Sequence, residues 1–264
     1  MIDNPDHPPV GRPKKEHAPE APPKGWFDRA LRAGKSVTHA FTMIPIYLIA
    51  SALLGVAIAP GVGVYHAISA LGENGGAVLR AFATGVGIGA GFFTYGFAII
   101  LVVPLANWPI RHLVRPARGS FYSAKFLPWY LHNSLAYIVR YSVLDYLTPT
   151  PLNHFFYRRM GMKLGRGAQI NSSNISDAAL LTIEENVTIG GSASIICHYG
   201  QAGYLVLAPT VIRKGAVVGM LATIMADVEI GENARVLANS LVLPKTRIPA
   251  GETWGGVPAK RIEL

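Results

Sequence analysis

The sequence predicts an all-β parallel β-helix in its C-terminal part, preceded by a two-helix transmembrane hairpin and by amphipathic helices at the membrane interface. Two patterns indicate this architecture. An aliphatic residue returns at every sixth position from Ile212 to Ile248, and two long uncharged apolar stretches precede that run. A period of six fits neither a helix nor a flat strand, whereas a parallel β-helix builds one short strand and one corner from each six residues.

The composition favours a membrane protein. Half of the 264 residues are hydrophobic, only 15% are charged, and the net charge is +9. A basic chain is compatible with nucleic acid, an anionic membrane surface or an anionic cofactor as its partner. The basic residues flank the apolar stretches, which is typical of membrane flanks and argues against nucleic acid. These flanking residues are Arg12, Lys14, Lys15, Lys24, Arg29, Arg32 and Lys35 on one side and Arg111, Arg115, Arg118 and Lys125 on the other.

The N-terminal part divides into a tail and the hairpin. Residues 1–35 are predicted to be a disordered, basic and proline-rich cytoplasmic tail. Residues 36–107 are predicted to form the transmembrane hairpin, because both apolar stretches exceed the roughly 20 residues that a helix needs to cross a bilayer. The alternative is a pair of buried helices in a soluble core. The excess of Lys and Arg on both outer flanks predicts a cytoplasmic (inner) membrane protein with both chain ends in the cytoplasm.

Residues 108–160 are predicted to be an interfacial helical linker. Aromatic residues such as Trp129 and Tyr130 alternate there with basic ones, a mixture that suits helices lying among lipid headgroups. One alternative is a soluble helical neck that packs on the first coil of the β-helix. A surface for stacking single-stranded nucleic acid is the weakest alternative, because the segment is too apolar.

Residues 161–264 are predicted to form the β-helix, with about five coils at eighteen residues per coil. A slipped turn spans Asn171–Leu181, and an irregular stretch from Cys197 to Tyr204 interrupts the period, which is expected to resume at Val206. The aliphatic anchors are Leu164, Ile170, Ile183, Ile189 and Ile195 before the interruption and Ile212, Val218, Ile224, Ile230, Val236, Val242 and Ile248 after it.

This region resembles the left-handed β-helix hexapeptide-repeat acyltransferases over about residues 160–264. The resemblance is carried by the hexad Ile230–Ala234, the insertion after Ile195 and the closing Gly256–Lys260. It implies a histidine on the inserted loop as general base, acetyl-coenzyme A as the usual donor, and a homotrimer with active sites between neighbouring coils. The variant Gly255–Val257 also resembles the membrane-linked β-helix units of single-module peptide synthetases that form poly-amino acids, in which the acceptor would be an amine.

His198 is the candidate catalytic residue. It is the only histidine after His154, and it lies where the repeat breaks. An imidazole of near-neutral pKa can remove a proton from a hydroxyl or an amine as that group attacks a thioester carbonyl. The alternative is a structural histidine at the root of a loop. The neighbouring Cys197 could be a nucleophile, but strand alternation favours a buried apolar filler.

A candidate binding site for the acyl donor combines two features. Basic residues of the last coil would bind its phosphates, and small residues at the corners of the coils would line the groove. Lys245, Lys260 and Arg261 are the candidate cations, with an ordinary solvated rim as the alternative reading. Gly219 and Ala238 are the candidate groove residues. Met220, Leu221 and Leu237 are bulkier than the residues at the same places in the resembling family, so a carrier-protein thioester is an alternative donor. No metal is expected, because one histidine cannot supply the three that γ-class carbonic anhydrases use for zinc.

These observations predict an O- or N-acetyltransferase that uses acetyl-coenzyme A on a membrane-proximal acceptor, such as a glycan precursor. Two alternatives stay open. One is an amide-forming aminoacyl transferase that takes a carrier-protein thioester. The other is a non-catalytic trimeric scaffold that only clusters the membrane helices.

Overall fold

The computed structural model describes residue 23, residues 25–201 and residues 204–263. The chain forms a long helical hairpin, a short mixed linker and a C-terminal parallel β-helix, in that order. The predicted disorder of residues 1–22 and of residue 24 lies outside the described residues.

The hairpin consists of α1 (Gly25–Ala70) and α2 (Ala77–Arg111). By length and composition, Ala40–Ala70 and Ala77–Arg111 are both able to cross a membrane. The two helices meet where glycines allow their backbones to approach closely. A Cβ on Gly91 would lie 2.8 Å from the carbonyl oxygen of Gly61, so a larger side chain there would separate the helices.

Residues 25–34 are helical, which corrects the predicted extent of the disordered tail. The helical course is interrupted at Lys35, whose φ is 43°. The segment before it is held by a polar anchor that the sequence pattern does not show. Asp28 is buried, accepts a hydrogen bond from Ser123 Oγ at 3.0 Å and pairs with Arg32 at 2.8 Å.

The linker is a packed neck. It contains β1 (Ala117–Ser120), a 3-10 turn (Ala124–Phe126), α3 (Leu127–Val139), a π turn (Arg140–Leu144) and α4 (Pro151–Arg159). Its large side chains belong to one hydrophobic core with the first coils, namely Phe126, Trp129, Leu135, Phe156 and Tyr157. The linker helices pack part of their aromatic surface on the first coils, as the alternative of a helical neck expects, and their position relative to a membrane interface stays a prediction.

The β-helix follows from residue 163. Its strands β2–β17 span, in chain order, Lys163–Leu164, Gln169–Ile170, Leu181–Ile183, Thr188–Ile189, Ser194–Ile195, His198–Gln201, Tyr204–Leu207, Thr210–Ile212, Val217–Val218, Thr223–Ile224, Glu229–Ile230, Arg235–Val236, Leu241–Val242, Arg247–Ile248, Thr253–Gly256 and Ala259–Ile262.

Successive strands turn through three parallel sheets. The first face contains β2, β4, β9, β12 and β15, the second contains β3, β5, β10, β13 and β16, and the third contains β6, β11 and β14. In the regular part the strands pair with residues one coil away, as Val218 does with Val236. Strand β17 runs antiparallel to β16 and ends the second face.

The predicted repeat is confirmed in its regular part. The seven anchors from Ile212 to Ile248 are all at most 2% exposed, and the first face shows five coils. Val206 is an exception to the prediction, because it lies in the inserted hairpin strand β8 and the coils resume at Thr210–Ile212. An aliphatic residue in a hairpin that packs on the coil satisfies the same six-residue spacing without being part of the coil.

Candidate active site

The inserted segment is a β-hairpin at one corner of the β-helix. Strands β7 and β8 pair antiparallel, and the hairpin leaves the coil between β6 of the third face and β9 of the first. Strand β1 of the linker adds to its other edge, with Ala117 opposite Leu207. His198 is the first residue of β7, so the root of the hairpin fixes its backbone.

His198 is paired with a buried aspartate from the preceding coil. Its Nδ1 lies 2.6 Å from Oδ2 of Asp177, whose side chain is fully buried. Ile175 pairs with Ile195 in a parallel β-bridge between adjacent coils. Asp177 therefore lies at the corner that Cys197 occupies one coil later. The slipped turn gives Asp177 a left-handed φ of 61° and thereby brings its carboxylate beneath the root of the hairpin.

Two residues of the linker helix α3 hold this aspartate. Trp129 Nε1–H donates to Asp177 Oδ1 at 2.6 Å, and the Asp177 backbone N–H donates to Asn133 Oδ1 at 3.3 Å. The backbone N–H of Cys197 donates to Oδ2 at 2.9 Å. The Trp129 ring also stands nearly edge-on to the His198 ring, with centroids 4.9 Å apart. The carboxylate therefore has fixed partners for both oxygens.

This arrangement prepares His198 to accept a proton. A buried carboxylate facing Nδ1 keeps the imidazole proton on that nitrogen, so Nε2 presents its lone pair. The His198 side chain is 23% exposed, whereas the Asp177 side chain has no exposure. A partly exposed imidazole with a buried carboxylate behind it is compatible with a general base that a carboxylate orients.

Two other polar groups near the site are poor candidates for proton transfer. His132 is fully buried and its Nδ1 lies 3.0 Å from Asn107 Oδ1 on α2. Burial lowers the pKa of His132 to about 4, so its ring is neutral at pH 7. Cys197 is fully buried, and burial raises the pKa of its thiol, which confirms the expected apolar filler.

The candidate groove residues lie at a different corner from His198. Gly219 joins the second face to the third, and Ala238 occupies the same corner in the next coil. A Cβ on Gly219 would lie 2.4 Å from the Ala238 nitrogen, so close coil stacking by itself requires a glycine there. The bulky Met220 and Leu221 beside it are exposed.

The candidate cations occupy two further places. Lys245 lies at the corner from which the hairpin leaves, two coils further along, with a φ of 68°. Lys260 and Arg261 lie on the terminal strand β17, where Arg261 pairs with Glu252 at 3.4 Å. Within the described chain, none of the five donor-site candidates forms a hydrogen bond with His198.

The sequence reasoning missed Asp177, Trp129 and Asn133. A usable signal existed for the first of them, because Asp177 is the only acidic residue between Asp145 and Glu184 and lies in the slipped turn. Trp129 and Asn133 carry no comparable signal, since their role depends on how α3 packs against the first coil. The part of the chain that the structure describes contains no group of three His, Cys, Asp or Glu placed to hold a metal ion.

Comparisons with known proteins agree with the repeat. Residues 209–244 match the family described as bacterial transferase hexapeptide (six repeats). The chain is 28% identical over 145 residues to a delta-poly-L-ornithine synthetase of Acinetobacter baumannii. The matched region covers 55% of this chain and 11% of that protein. It is 41% identical over 92 residues to the mitochondrial gamma carbonic anhydrase 2 of Arabidopsis thaliana, covering 34% and 29% respectively.

Among solved structures, the chain is similar to a maltose O-acetyltransferase from Clostridium difficile 630. The identity is 14% and the TM-score is 0.45, with 57% of this chain and 94% of that chain covered. The chain spans less than a third of the length of either curated relative named above. The matched repeats and the coils observed around them show that the C-terminal part of this chain is a parallel β-helix built from repeats similar to those of the hexapeptide transferases.

Proposed function

We propose that this protein is a membrane-anchored acyltransferase in which His198 is the general base. The observation that carries the proposal is the pair of His198 and buried Asp177 at the root of the hairpin inserted into a hexapeptide-repeat coil. A buried carboxylate is costly unless it is hydrogen-bonded. Here the carboxylate is fully hydrogen-bonded and directed at the one partly exposed imidazole beside it.

The chemistry follows from the proton positions. The acceptor hydroxyl or amine transfers its proton to His198 Nε2 while its oxygen or nitrogen attacks the thioester carbonyl. Asp177 stabilises the imidazolium that forms, because its Oδ2 accepts the hydrogen bond from Nδ1–H. Collapse of the tetrahedral intermediate breaks the carbon–sulfur bond, and the thiolate leaving group takes up the proton. Backbone N–H groups of an adjacent coil would stabilise the oxyanion.

The donor proposed is acetyl-coenzyme A, bound at a site that needs more than one chain. Gly219 and Ala238 line a different corner of the coil from His198. Within one chain, the proposed donor groove and the proposed base are therefore apart. A homotrimer would set the groove corner of one chain beside the hairpin of its neighbour. Lys245, Lys260 and Arg261 would then bind the coenzyme phosphates, since they are exposed cations of the last coils.

The acceptor proposed is a membrane-proximal molecule, such as a lipid-linked sugar or another glycan precursor. Helices α1 and α2 are long and apolar enough to cross a bilayer, and basic residues flank both. By the positive-inside rule, we propose that both chain ends, and with them the β-helix, lie on the cytoplasmic face of the inner membrane. Packing of α3 between α2 and Asp177 would hold the active site close to that face.

A second candidate function is amide formation from a carrier-protein aminoacyl thioester. It is favoured by the similarity to a delta-poly-L-ornithine synthetase, although only 11% of that protein is covered. The exposed Met220, Leu221 and Leu237 along the groove corner also favour a donor other than free coenzyme A. This candidate uses the same His198 and differs in the donor and in the nitrogen acceptor.

The test is label transfer in membranes that contain the full-length protein. Membranes are supplied with acetyl-coenzyme A carrying a labelled acetyl group or with a labelled aminoacyl carrier protein, and products are identified by mass spectrometry. We expect transfer from one donor, lowered at least about 1,000-fold by His198→Ala, as expected for loss of a general base. His154→Ala is the matched control and should retain activity. Full transfer by His198→Ala would contradict the role of His198, whereas absence of transfer by the unaltered protein from either donor would favour the non-catalytic scaffold.

A further inference from the structure

A cavity of about 300 Å³ lies where the C-terminal end of α2 meets α4. Its α2 wall is formed by Leu101, Leu105 and Trp108, whose spacing of four and three residues puts them on one face of the helix. Phe155 of α4 faces them across the cavity. The three α2 side chains are 56%, 78% and 60% exposed, so this apolar wall is continuous with the uncovered surface of the hairpin.

Two arginines complete the cavity at its polar end. Arg111 Nη1 donates to the backbone carbonyl oxygen of Arg159 at 2.6 Å, which holds the two residues beside each other. The Arg159 guanidinium stands over the Phe155 ring at 5.3 Å. Within the described residues neither guanidinium pairs with a carboxylate, whereas Arg213 pairs with both Glu184 and Glu229.

Two guanidinium groups that line one cavity without a carboxylate partner favour the binding of an anion there. Guanidinium groups bind phosphate oxygens with paired, charge-assisted hydrogen bonds, and the mutual repulsion of two cations falls when an anion is bound. A free phosphate would satisfy the arginines but would leave the wall of Leu101, Leu105 and Trp108 in contact with water. A phosphate group attached to an acyl chain would bind the two arginines and would also cover the apolar wall.

The position along α2 agrees with a lipid. Arg111 is the last residue of an apolar helix of 35 residues, and Trp108 lies one turn before it. Tryptophan and arginine at the end of a membrane-crossing helix lie at the depth of the lipid headgroups. We propose that this cavity binds the phosphate of an anionic membrane phospholipid between Arg111 and Arg159, with an acyl chain along the α2 wall. This inference rests on the proposed membrane insertion and is independent of acyl transfer.

The test uses the full-length protein in detergent micelles. Phosphatidylglycerol, phosphatidylcholine and inorganic phosphate are added separately, and bound lipid is measured by native mass spectrometry and by the shift of the thermal unfolding midpoint. We expect phosphatidylglycerol to bind roughly tenfold more tightly than phosphatidylcholine, as expected for charge-assisted phosphate contacts. The double variant Arg111→Gln/Arg159→Gln should lose that preference. Arg80→Gln, at the other end of α2, is the matched control and should keep it.

A double variant that keeps the preference for phosphatidylglycerol overturns the proposal. Inorganic phosphate that stabilises the protein as strongly as the lipid, with no effect of Trp108→Ala, also overturns it, because the acyl chain would then contribute nothing. Extraction of membranes with alkaline carbonate separates this failure from failure of the underlying membrane insertion. A protein that carbonate releases is not inserted, whereas an inserted protein without lipid preference refutes the cavity alone.

Discussion

The regular coils and the slipped coil, residues 171–181, differ in the side chains that they bury. From Ile212 to Ile248 the coils enclose aliphatic residues, and Ser240 is the one polar residue buried among them. The six residues from 172 to 177 bury four polar side chains, namely Ser172, Ser173, Ser176 and Asp177. In a regular repeat, the backbone N–H and C=O groups form hydrogen bonds with the neighbouring coils in the sheets. The imperfect coil needs partners from elsewhere, and it is there that a carboxylate meets His198.

Those partners come from the linker. Asn153 Nδ2 donates to the Ile170 carbonyl oxygen at 2.9 Å, and Tyr157 Oη–H donates to that of Ser173 at 3.0 Å. With Trp129 and Asn133, these contacts replace the bonds that a regular coil would make to its neighbours. The comparison teaches that the regular coils contribute rigidity, while the irregular coil and its neck position the proposed chemistry.

Apart from His198 itself, the largest expected effect is that of Asp177→Asn on catalysis. An amide cannot stabilise an imidazolium as a carboxylate does, and its NH₂ group can favour the wrong imidazole tautomer. We expect kcat/KM for label transfer to fall by about 10²- to 10⁴-fold. The fold should persist, as checked by the thermal unfolding midpoint. A variant with the activity of the unaltered protein would show that Asp177 is only structural.

The reverse pattern is expected for Ile224→Ala in the regular coils. Its side chain is fully buried, so truncation should lower the free energy of unfolding by about 2–5 kcal/mol. The activity per folded molecule should change little, because Ile224 lies on the third face, one coil beyond the hairpin. Denaturant unfolding and the rate of label transfer at low temperature measure the two quantities. A large loss of activity without loss of stability would remove the distinction between the two regions.

Trp129→Phe should give a smaller and more selective loss. Phenylalanine keeps an aromatic ring beside His198 but removes the N–H donor to Asp177 Oδ1. We expect kcat to fall by roughly tenfold, the cost of one hydrogen bond to a buried charge, with KM nearly unchanged. The same substitution at exposed Trp26 is the control, and equal effects at both positions would refute the role of Trp129.

The effect with the narrowest conditions concerns His132, because it appears only in mild acid. Its folded-state pKa of about 4 lies below the usual 6.5, so the stability from the neutral ring is complete above pH 6.5. It declines as the pH falls towards 4, by about 2 kcal/mol at pH 5. His132→Gln removes the titrating group and should lose less stability between pH 7 and pH 5, as measured by unfolding midpoints. His112→Gln is the exposed control, and identical pH dependence of all three proteins would contradict the prediction.

The sequence predicts the repetitive half of this molecule far better than its irregular half. The six-residue period fixes which side chains point inward from Ile212 to Ile248, because each coil repeats the same local geometry. The inserted hairpin and His198 are visible as the place where that period fails. Asp177, Trp129 and the helical start of α1 are different, because their positions depend on contacts across 48 to 96 residues of chain. No local pattern encodes such contacts.

A double-mutant cycle between His198 and Asp177 tests the central claim most directly. The rate of label transfer is measured for His198→Ala, Asp177→Asn, the double variant and the unaltered protein, in the same membranes. If Asp177 acts only through the imidazole, the double variant should be no slower than His198→Ala alone. Losses that multiply in the double variant would show two independent roles and contradict the account of a single catalytic pair at the break in the repeat.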